Sequence, residues 1–197
     1  MGSAAGEREE RFRALFEGCF GAVRRYVHHR GVTFGRADDL VAETFVVAWR
    51  RLDDVPVDDP LPWLLAVARN QWRNERRSLA RRSAALRRLP LPLPVPPPDE
   101  PADGDGDGDG DRDAAIIGYA LAALPETDRE LLLLVAWDDL TPAQAAQVVG
   151  CSAGAALVRL HRARRRFADE LTKRSPANGQ ILDESEARKE DIGHGHA

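Results

Sequence analysis

Residues 141–173 read TPAQAAQVVGCSAGAALVRLHRARRRFADELTK. Thr141 is suited to cap a helix N-terminus and Pro142 to occupy the first helical position, while Gly150 permits the turn that ends a short helix. Ser152 can then cap a second helix that continues to the end of the stretch. A short helix, a glycine turn and a capped second helix together predict a helix-turn-helix.

The second helix of this motif has one apolar face and one strongly basic face. The apolar positions repeat at helical spacing, and they are Ala156, Leu160, Ala163 and Phe167. The positions that we expect to point outward are Leu157, Arg159, His161, Arg162, Arg164, Arg165 and Arg166. Guanidinium groups can neutralise DNA phosphates, and the first turn of such a helix can enter a major groove. The pattern favours DNA binding over the alternative, a solvated basic helix in an ordinary bundle.

Three amphipathic helices are predicted in the N-terminal part of the chain. The first extends from Arg11 to about Arg30 and ends at Gly31, the second opens at residues 36–39, and the third covers Trp63–Arg82. Between the last two, the prolines of residues 53–60 predict an exposed loop. The apolar stripe of the first helix consists of Phe12, Leu15, Phe16, Cys19, Phe20, Val23, Tyr26 and Val27.

The fold class predicted from these patterns is all-α, with two small helical domains. The first covers residues 7–82, and the second, with two more apolar helical stripes before the helix-turn-helix, covers residues 114–173. Residues 83–113 are first rich in proline and then contain a Gly-Asp repeat, which predicts a flexible linker. This linker could be an inert spacer or an acidic strand lying in a basic channel. Residues 174–197 lack a core pattern and predict a disordered tail.

The third helix carries a second basic face. Its members are Arg69, Arg73, Arg76 and Arg77, with Asn70 and Asn74 beside them. Clustered like charges repel one another, so an anionic partner would relieve them, and both residue types can hydrogen-bond base edges. The alternative is an exposed arginine-rich helix end that leads into the linker.

The overall charge of the chain does not by itself predict nucleic-acid binding. The 28 Lys and Arg residues against 32 Asp and Glu residues give a net charge of −4, so any electrostatic argument has to be local. The acidic surplus lies mainly in the linker and the tail. The basic residues are almost all arginine, which suits phosphate and base contacts, although a GC-rich genome gives the same bias and is the favoured explanation.

The sequence offers no combination of residues typical of an enzyme. Cys19 and Cys151 lie far apart in apolar helical patterns, which predicts core thiols in a reducing cytosol and neither a disulfide framework nor a zinc site. No nucleophile is matched with a base, and a metal-binding role for His194 and His196 is a minor alternative. No apolar run is long enough for a stable membrane insertion and no signal core is visible, so we expect a cytoplasmic protein that uses no cofactor.

Several stretches resemble the extracytoplasmic-function (ECF) group of bacterial RNA polymerase sigma factors. Residues 38–50, DDLVAETFVVAWR, resemble the signature of the family's region 2, and residues 62–70 resemble its promoter-reading helix. Residues 122–130 and 159–164 resemble region 4. The stretches occur in the family's order with a linker between them.

The resemblance implies a role for each face. In this family region 2 binds the clamp of core RNA polymerase and holds the −10 promoter element, and region 4 reads the −35 element. The clamp-binding helix and its support would include Asp39, Leu40, Glu43, Phe45 and Trp49, although core packing is the favoured role of the two aromatic residues. The loop at residues 53–62 would capture an unstacked base, and −10 contacts would come from Asn70, Arg73, Asn74, Arg76 and Arg77. Contacts with the −35 element would come from Ser152, Ala155, Leu157, Val158, Arg159, His161, Arg162 and Arg165.

The partners that the resemblance implies are core RNA polymerase, promoter DNA and an anti-sigma factor. Three departures from the family pattern are visible: Ala42 replaces a glutamine, residues 144–146 are Gln-Ala-Ala, and residues 154–157 are Gly-Ala-Ala-Leu where Gly-Thr-Val-Lys is common. The last departure implies weak or unusual −35 recognition. The alternative function, a stand-alone helix-turn-helix regulator, leaves the region 2 signature unexplained.

Overall fold

The computed structural model describes residues 4–30, 32, 34–86 and 109–174, and these residues form helices without any β-strand. The elements are α1 (Ala4–His28), α2 (Phe34–Arg50), a 3-10 turn (Leu52–Asp54), α3 (Leu61–Leu86), α4 (Asp109–Ala122), α5 (Glu126–Ala136), α6 (Pro142–Val149) and α7 (Ala153–Arg174). The predicted all-α fold class is confirmed. Below, the N-terminal half denotes α1–α3 and the C-terminal half α4–α7.

Several element boundaries differ from the prediction. α1 begins at Ala4, before the apolar stripe starts, and α3 and α4 both extend into the segment that we expected to be linker. Nothing stops these helices, because residues 83–86 and 109–113 contain no proline. The predictions for Gly31, for the remaining linker at residues 87–108 and for the tail at residues 175–197 lie outside the described residues.

The helices of the N-terminal half enclose a core of large aliphatic side chains. Its fully buried members include Val23, Val27, Leu40, Leu64 and Leu65. Thr44 is a buried polar residue of this core, and its hydroxyl lies 2.7 Å from the carbonyl oxygen of Leu40 and 2.9 Å from Oε1 of Gln71. This hydroxyl ties α2 to α3 without leaving a buried polar atom unpaired.

The helix-turn-helix forms as the sequence predicts. The Thr141 hydroxyl accepts a hydrogen bond from the Gln144 backbone N–H, and the Gln144 side chain accepts one from the Thr141 backbone N–H, which makes a capping box. Gly150 adopts a left-handed conformation with φ of 77°, and Ser152 accepts from the Ala155 N–H at 3.2 Å. Ala146 is buried where α6 and α7 pack together.

The two halves pack against each other through a continuous core. The N-terminal core joins buried side chains of the C-terminal half, among them Leu134, Leu140 and Val148, and α6 lies against α3. A polar contact supports this packing, because the Gln144 amide donates to Oδ2 of Asp59 at 2.9 Å. The sequence did not predict this docking, since a long linker carries no information about how its two ends are arranged.

Candidate nucleic-acid interface

The outward surface of α7 has the composition expected for contact with DNA. All seven residues that were predicted to point outward are exposed, and Leu157 and Val158 keep 55% and 51% of their surface in solvent. Ala156, Leu160 and Ala163 are buried and Phe167 packs beneath, so the predicted division into two faces is confirmed. Among the proposed −35 residues, Ser152 is committed to capping α7 and Ala155 is half-buried.

Two arginines of α7 are drawn towards α5. The carboxylate of Asp128, which is buried, lies 3.4 Å from Nη1 of Arg159 and 3.3 Å from Nη1 of Arg166. These two ion pairs hold both side chains towards the side of α7 that faces α5. Arg162 and Arg165 make no ion pair with any residue that the structure describes, so their guanidinium groups are available to phosphates.

The arginine face of α3 is divided by the docking of the two halves. Only 6% of the surface of Arg69 is exposed to solvent. Nε of Arg73 lies 3.4 Å from Oε1 of Glu126 in α5. Arg76 is partly covered. Exposed positions on the other side are Asn70, Asn74 and Arg77. Only part of the predicted −10 surface is therefore open to solvent in this packing.

A buried ion cluster, Tyr26, Arg30, Glu130 and Asp138, connects α1 to α5. Arg30 donates to Oδ2 of Asp138 at 2.7 Å and to Oε1 of Glu130 at 3.2 Å, and its guanidinium stacks 3.8 Å from the Tyr26 ring centre. The Tyr26 hydroxyl donates to the same Glu130 oxygen at 2.8 Å. Burial raises the pKa of Tyr26 well above its usual range, and the negative charge of Glu130 adds to this effect.

This cluster was not predicted from the sequence. Arg30 and Asp138 are separated by 108 positions, and neither belongs to a recognisable motif. Arg30 and Asp138 are both buried, and burial raises the pKa of Asp138 against the opposing effect of Arg30. A covarying pair of positions in related sequences is the kind of signal that could have identified it.

The surface predicted to bind polymerase combines buried support with an exposed rim. Leu40 and Phe45 are buried, whereas Asp39 and Glu43 are exposed and pair with Arg36 at 3.6 Å and 3.0 Å. The expectation that Trp49 is a core residue was wrong, because it is 39% exposed.

Part of the apolar stripe predicted on α1 is left exposed by α2. Phe16 and Phe20 are 39% and 37% exposed, and both rings contact Phe45. α2 does not cover all eight residues of this stripe. Phe12 and Trp49, whose rings contact each other, extend the partly exposed aromatic surface.

The loop before α3 is mostly exposed, as predicted, but its two ends are anchored to the rest of the molecule. Residues 52–54 form a 3-10 turn, Val55 is buried, and its carbonyl oxygen accepts from Nη2 of Arg11 at 2.8 Å. Apolar packing of Leu52 and Val55 fixes this end. Asp59 is bound by Gln144, so both ends of the loop are held.

The remaining predictions concern metals, thiols and membranes. The described part of the chain contains no group of three His, Cys, Asp or Glu side chains arranged to hold a metal ion. Cys19 is a buried thiol whose pKa is raised by burial, while Cys151 is only partly buried. Among the helices described, none is long and apolar enough to span a membrane. The histidines near the C-terminus lie outside the described residues.

Comparison with known proteins identifies both halves. Residues 15–82 match the family model "Sigma-70 region 2", and residues 114–167 match "Sigma-70, region 4". The ECF RNA polymerase sigma factor EcfG of Rhodopseudomonas palustris (strain TIE-1) is 29% identical over 134 residues, which is 68% of this chain and 70% of that protein.

Two solved structures are similar in fold. One is CnrH in complex with the cytosolic domain of CnrY, with a TM-score of 0.57 and 25% identity over 83% of this chain and 89% of that one. The other is the sigma factor RpoE of Bartonella quintana in complex with the anti-sigma factor NepR, with a TM-score of 0.64 and 24% identity over 82% and 96%. Together with the two family matches in their expected order, these likenesses show that the chain belongs to the sigma-70 family of transcription initiation factors, in its ECF group.

Proposed function

We propose that this sigma factor divides its work among three surfaces, with α7 reading the −35 element, α3 holding the −10 strand, and the exposed rim of α2 binding core RNA polymerase. The observation that carries the proposal is the match to both sigma-70 regions on a chain whose basic helices lie in those regions. Because its partner is core polymerase, the protein would act in the cytoplasm.

The −35 contacts would come from the exposed part of α7. Arg162 and Arg165 can each approach phosphates or base edges, and Leu157 can contact a thymine methyl group. Arg159 is free to do so only after it leaves Asp128, which holds it at 3.4 Å. The first turn of α7 lacks the threonine and the lysine that are common in the family. Phosphate contacts would therefore contribute more to the DNA-binding free energy than base contacts.

The full set of −10 contacts would require the halves to separate. Asn70, Asn74 and Arg77 are exposed as the molecule stands, but Arg73 is paired with Glu126 of α5. Glu126 would have to leave Arg73 before a DNA phosphate could pair with that guanidinium. The docked arrangement would therefore be the resting form, and binding to polymerase and promoter would favour the open form.

Core polymerase would be contacted by Asp39, Glu43 and Trp49. These residues lie on one helix, they are exposed, and Leu40 and Phe45 support them from below. An anti-sigma factor is a further proposed partner, because both structural neighbours were solved in complex with a second protein, one of them named as an anti-sigma factor.

A separation-of-function experiment tests this division. We expect Arg73→Ala with Arg76→Ala to weaken promoter opening, measured by permanganate footprinting, while core binding measured by fluorescence anisotropy stays within about twofold of the original. We expect Asp39→Ala with Glu43→Ala to weaken core binding instead. If both double variants lose the same activity to the same degree, the assignment of surfaces is wrong.

A further inference from the structure

A cavity lies where α1 and α3 meet α4 and α5, and arginines dominate its wall. Its volume is about 50 Å³, it is partly open to solvent, and side chains from both halves line it. The arginines of its wall, apart from Arg30 of the buried ion cluster, are Arg69, Arg73, Arg76 and Arg129. This volume exceeds the roughly 10–15 Å³ that one water molecule needs, so the space can hold a small ion.

The positive charge of this wall is not balanced by the acidic residues beside it. Glu130 is engaged by Arg30 and Tyr26, and Glu126 lies 3.4 Å from Arg73. Within the described ranges, Arg76 and Arg129 form no ion pair. Burial lowers the pKa of Arg129 and repulsion by the Arg76 guanidinium lowers it further, against the opposing attraction of Glu126 and Glu130.

Arg69 is the strongest single indication of a missing partner. It is more than nine-tenths buried and lines the cavity, yet no described residue gives it a hydrogen bond or an ion pair. The residue is buried as a whole but its nitrogen atoms are not sealed from the cavity, so they can meet a ligand there, and a small anion is the natural partner for a guanidinium in this position. Arginine is also well suited to phosphate, because its planar fork matches two oxygens.

We propose that this cavity binds a free tetrahedral oxyanion of the phosphate class, held by Arg69 and Arg76 of α3 and by Arg129 of α5. The bound anion would bridge the two halves and favour their docked arrangement, since the open form separates Arg129 from α3. A small free anion suits the site better than the backbone of a nucleic acid, because helices of both halves bound the cavity. Phosphate binding itself needs only the docked arrangement, whereas its effect on opening rests on the proposed function, in which Arg73 and Arg76 contact the −10 strand.

Isothermal titration calorimetry of the full chain with sodium phosphate tests the proposal, with sodium chloride at equal ionic strength as the reference. We expect one saturable site for phosphate and none for chloride, together with a rise in melting temperature that only phosphate produces. Arg129→Gln should weaken binding about tenfold or more, as expected for the loss of a charge-assisted hydrogen bond. The matched control is Arg24→Gln, an exposed arginine of α1 outside the cavity.

Three results would overturn the proposal. One is a phosphate titration that cannot be distinguished from chloride, and another is unchanged binding in Arg129→Gln with its helix content intact by circular dichroism. The third is tighter, Arg129-dependent binding of a short single-stranded oligonucleotide without a terminal phosphate, which would assign the cavity to a nucleic-acid backbone. Arg69→Gln provides a second test, and it too should weaken phosphate binding if the variant folds.

Discussion

Replacing Arg30 tests whether the buried ion cluster holds the two halves together. Arg30→Met keeps most of the side-chain volume but leaves Asp138 and Glu130 without the cation that lies 2.7 Å and 3.2 Å from them. Breaking a buried ion pair by removing one partner costs about 3–5 kcal/mol, because the remaining charge stays desolvated. We expect the free energy of unfolding to fall by about that amount.

Urea denaturation followed by tryptophan fluorescence measures this loss, since Trp137 lies beside the cluster, with its ring 5.4 Å from that of His29. The matched control is Arg24→Met, an exposed position on α1, the helix that precedes Arg30, and it should change stability by less than about 0.5 kcal/mol. A loss below about 1 kcal/mol in Arg30→Met, relative to this control, would refute the reasoning that the cluster is desolvated and stabilises the docking.

Three further predictions concern the turn, a cap and alkaline pH. Gly150→Ala should destabilise the fold by about 1–2 kcal/mol in thermal denaturation, because alanine is strained at a φ of 77°. The control is Gly154→Ala, in an unobstructed helical position, which should not destabilise the fold. Equal effects of the two substitutions would contradict this prediction. Thr141→Ala should cost about 1 kcal/mol by removing the capping box, and a neutral result in urea denaturation would count against it. The pKa of Tyr26 is raised in the folded state, so the unfolded chain loses this proton first and stability should fall as pH rises above about 10. Tyr26→Phe should reduce that fall and Tyr119→Phe, at an exposed site, should not; identical slopes would exclude the assignment.

The helix-turn-helix could be predicted from sequence because its signals are local. Thr141, Gly150 and Ser152 each fix a backbone feature within a few residues, and the spacing of Ala156 and Leu160 determines which side of α7 is buried. Such signals need no knowledge of distant parts of the chain, so they were confirmed in detail.

The docking of the halves could not be predicted, because it depends on pairs of residues far apart in sequence. Arg69 and Arg77 belong to the same predicted arginine face, yet the first is buried and the second is exposed. Similarly, helical periodicity places Phe16 and Trp49 on apolar stripes but does not reveal how far a partner helix covers them. These outcomes depend on tertiary packing, which a single sequence does not specify locally.

Runoff transcription tests the central claim most directly. Purified bacterial core RNA polymerase would be mixed with this protein and with genomic fragments that include the region upstream of its own coding sequence, and core alone would serve as control. The account predicts transcripts of defined length that require the protein and disappear with Asp39→Ala combined with Glu43→Ala. Retardation of particular DNA fragments without core binding or any transcript would contradict it and would indicate a stand-alone DNA-binding regulator.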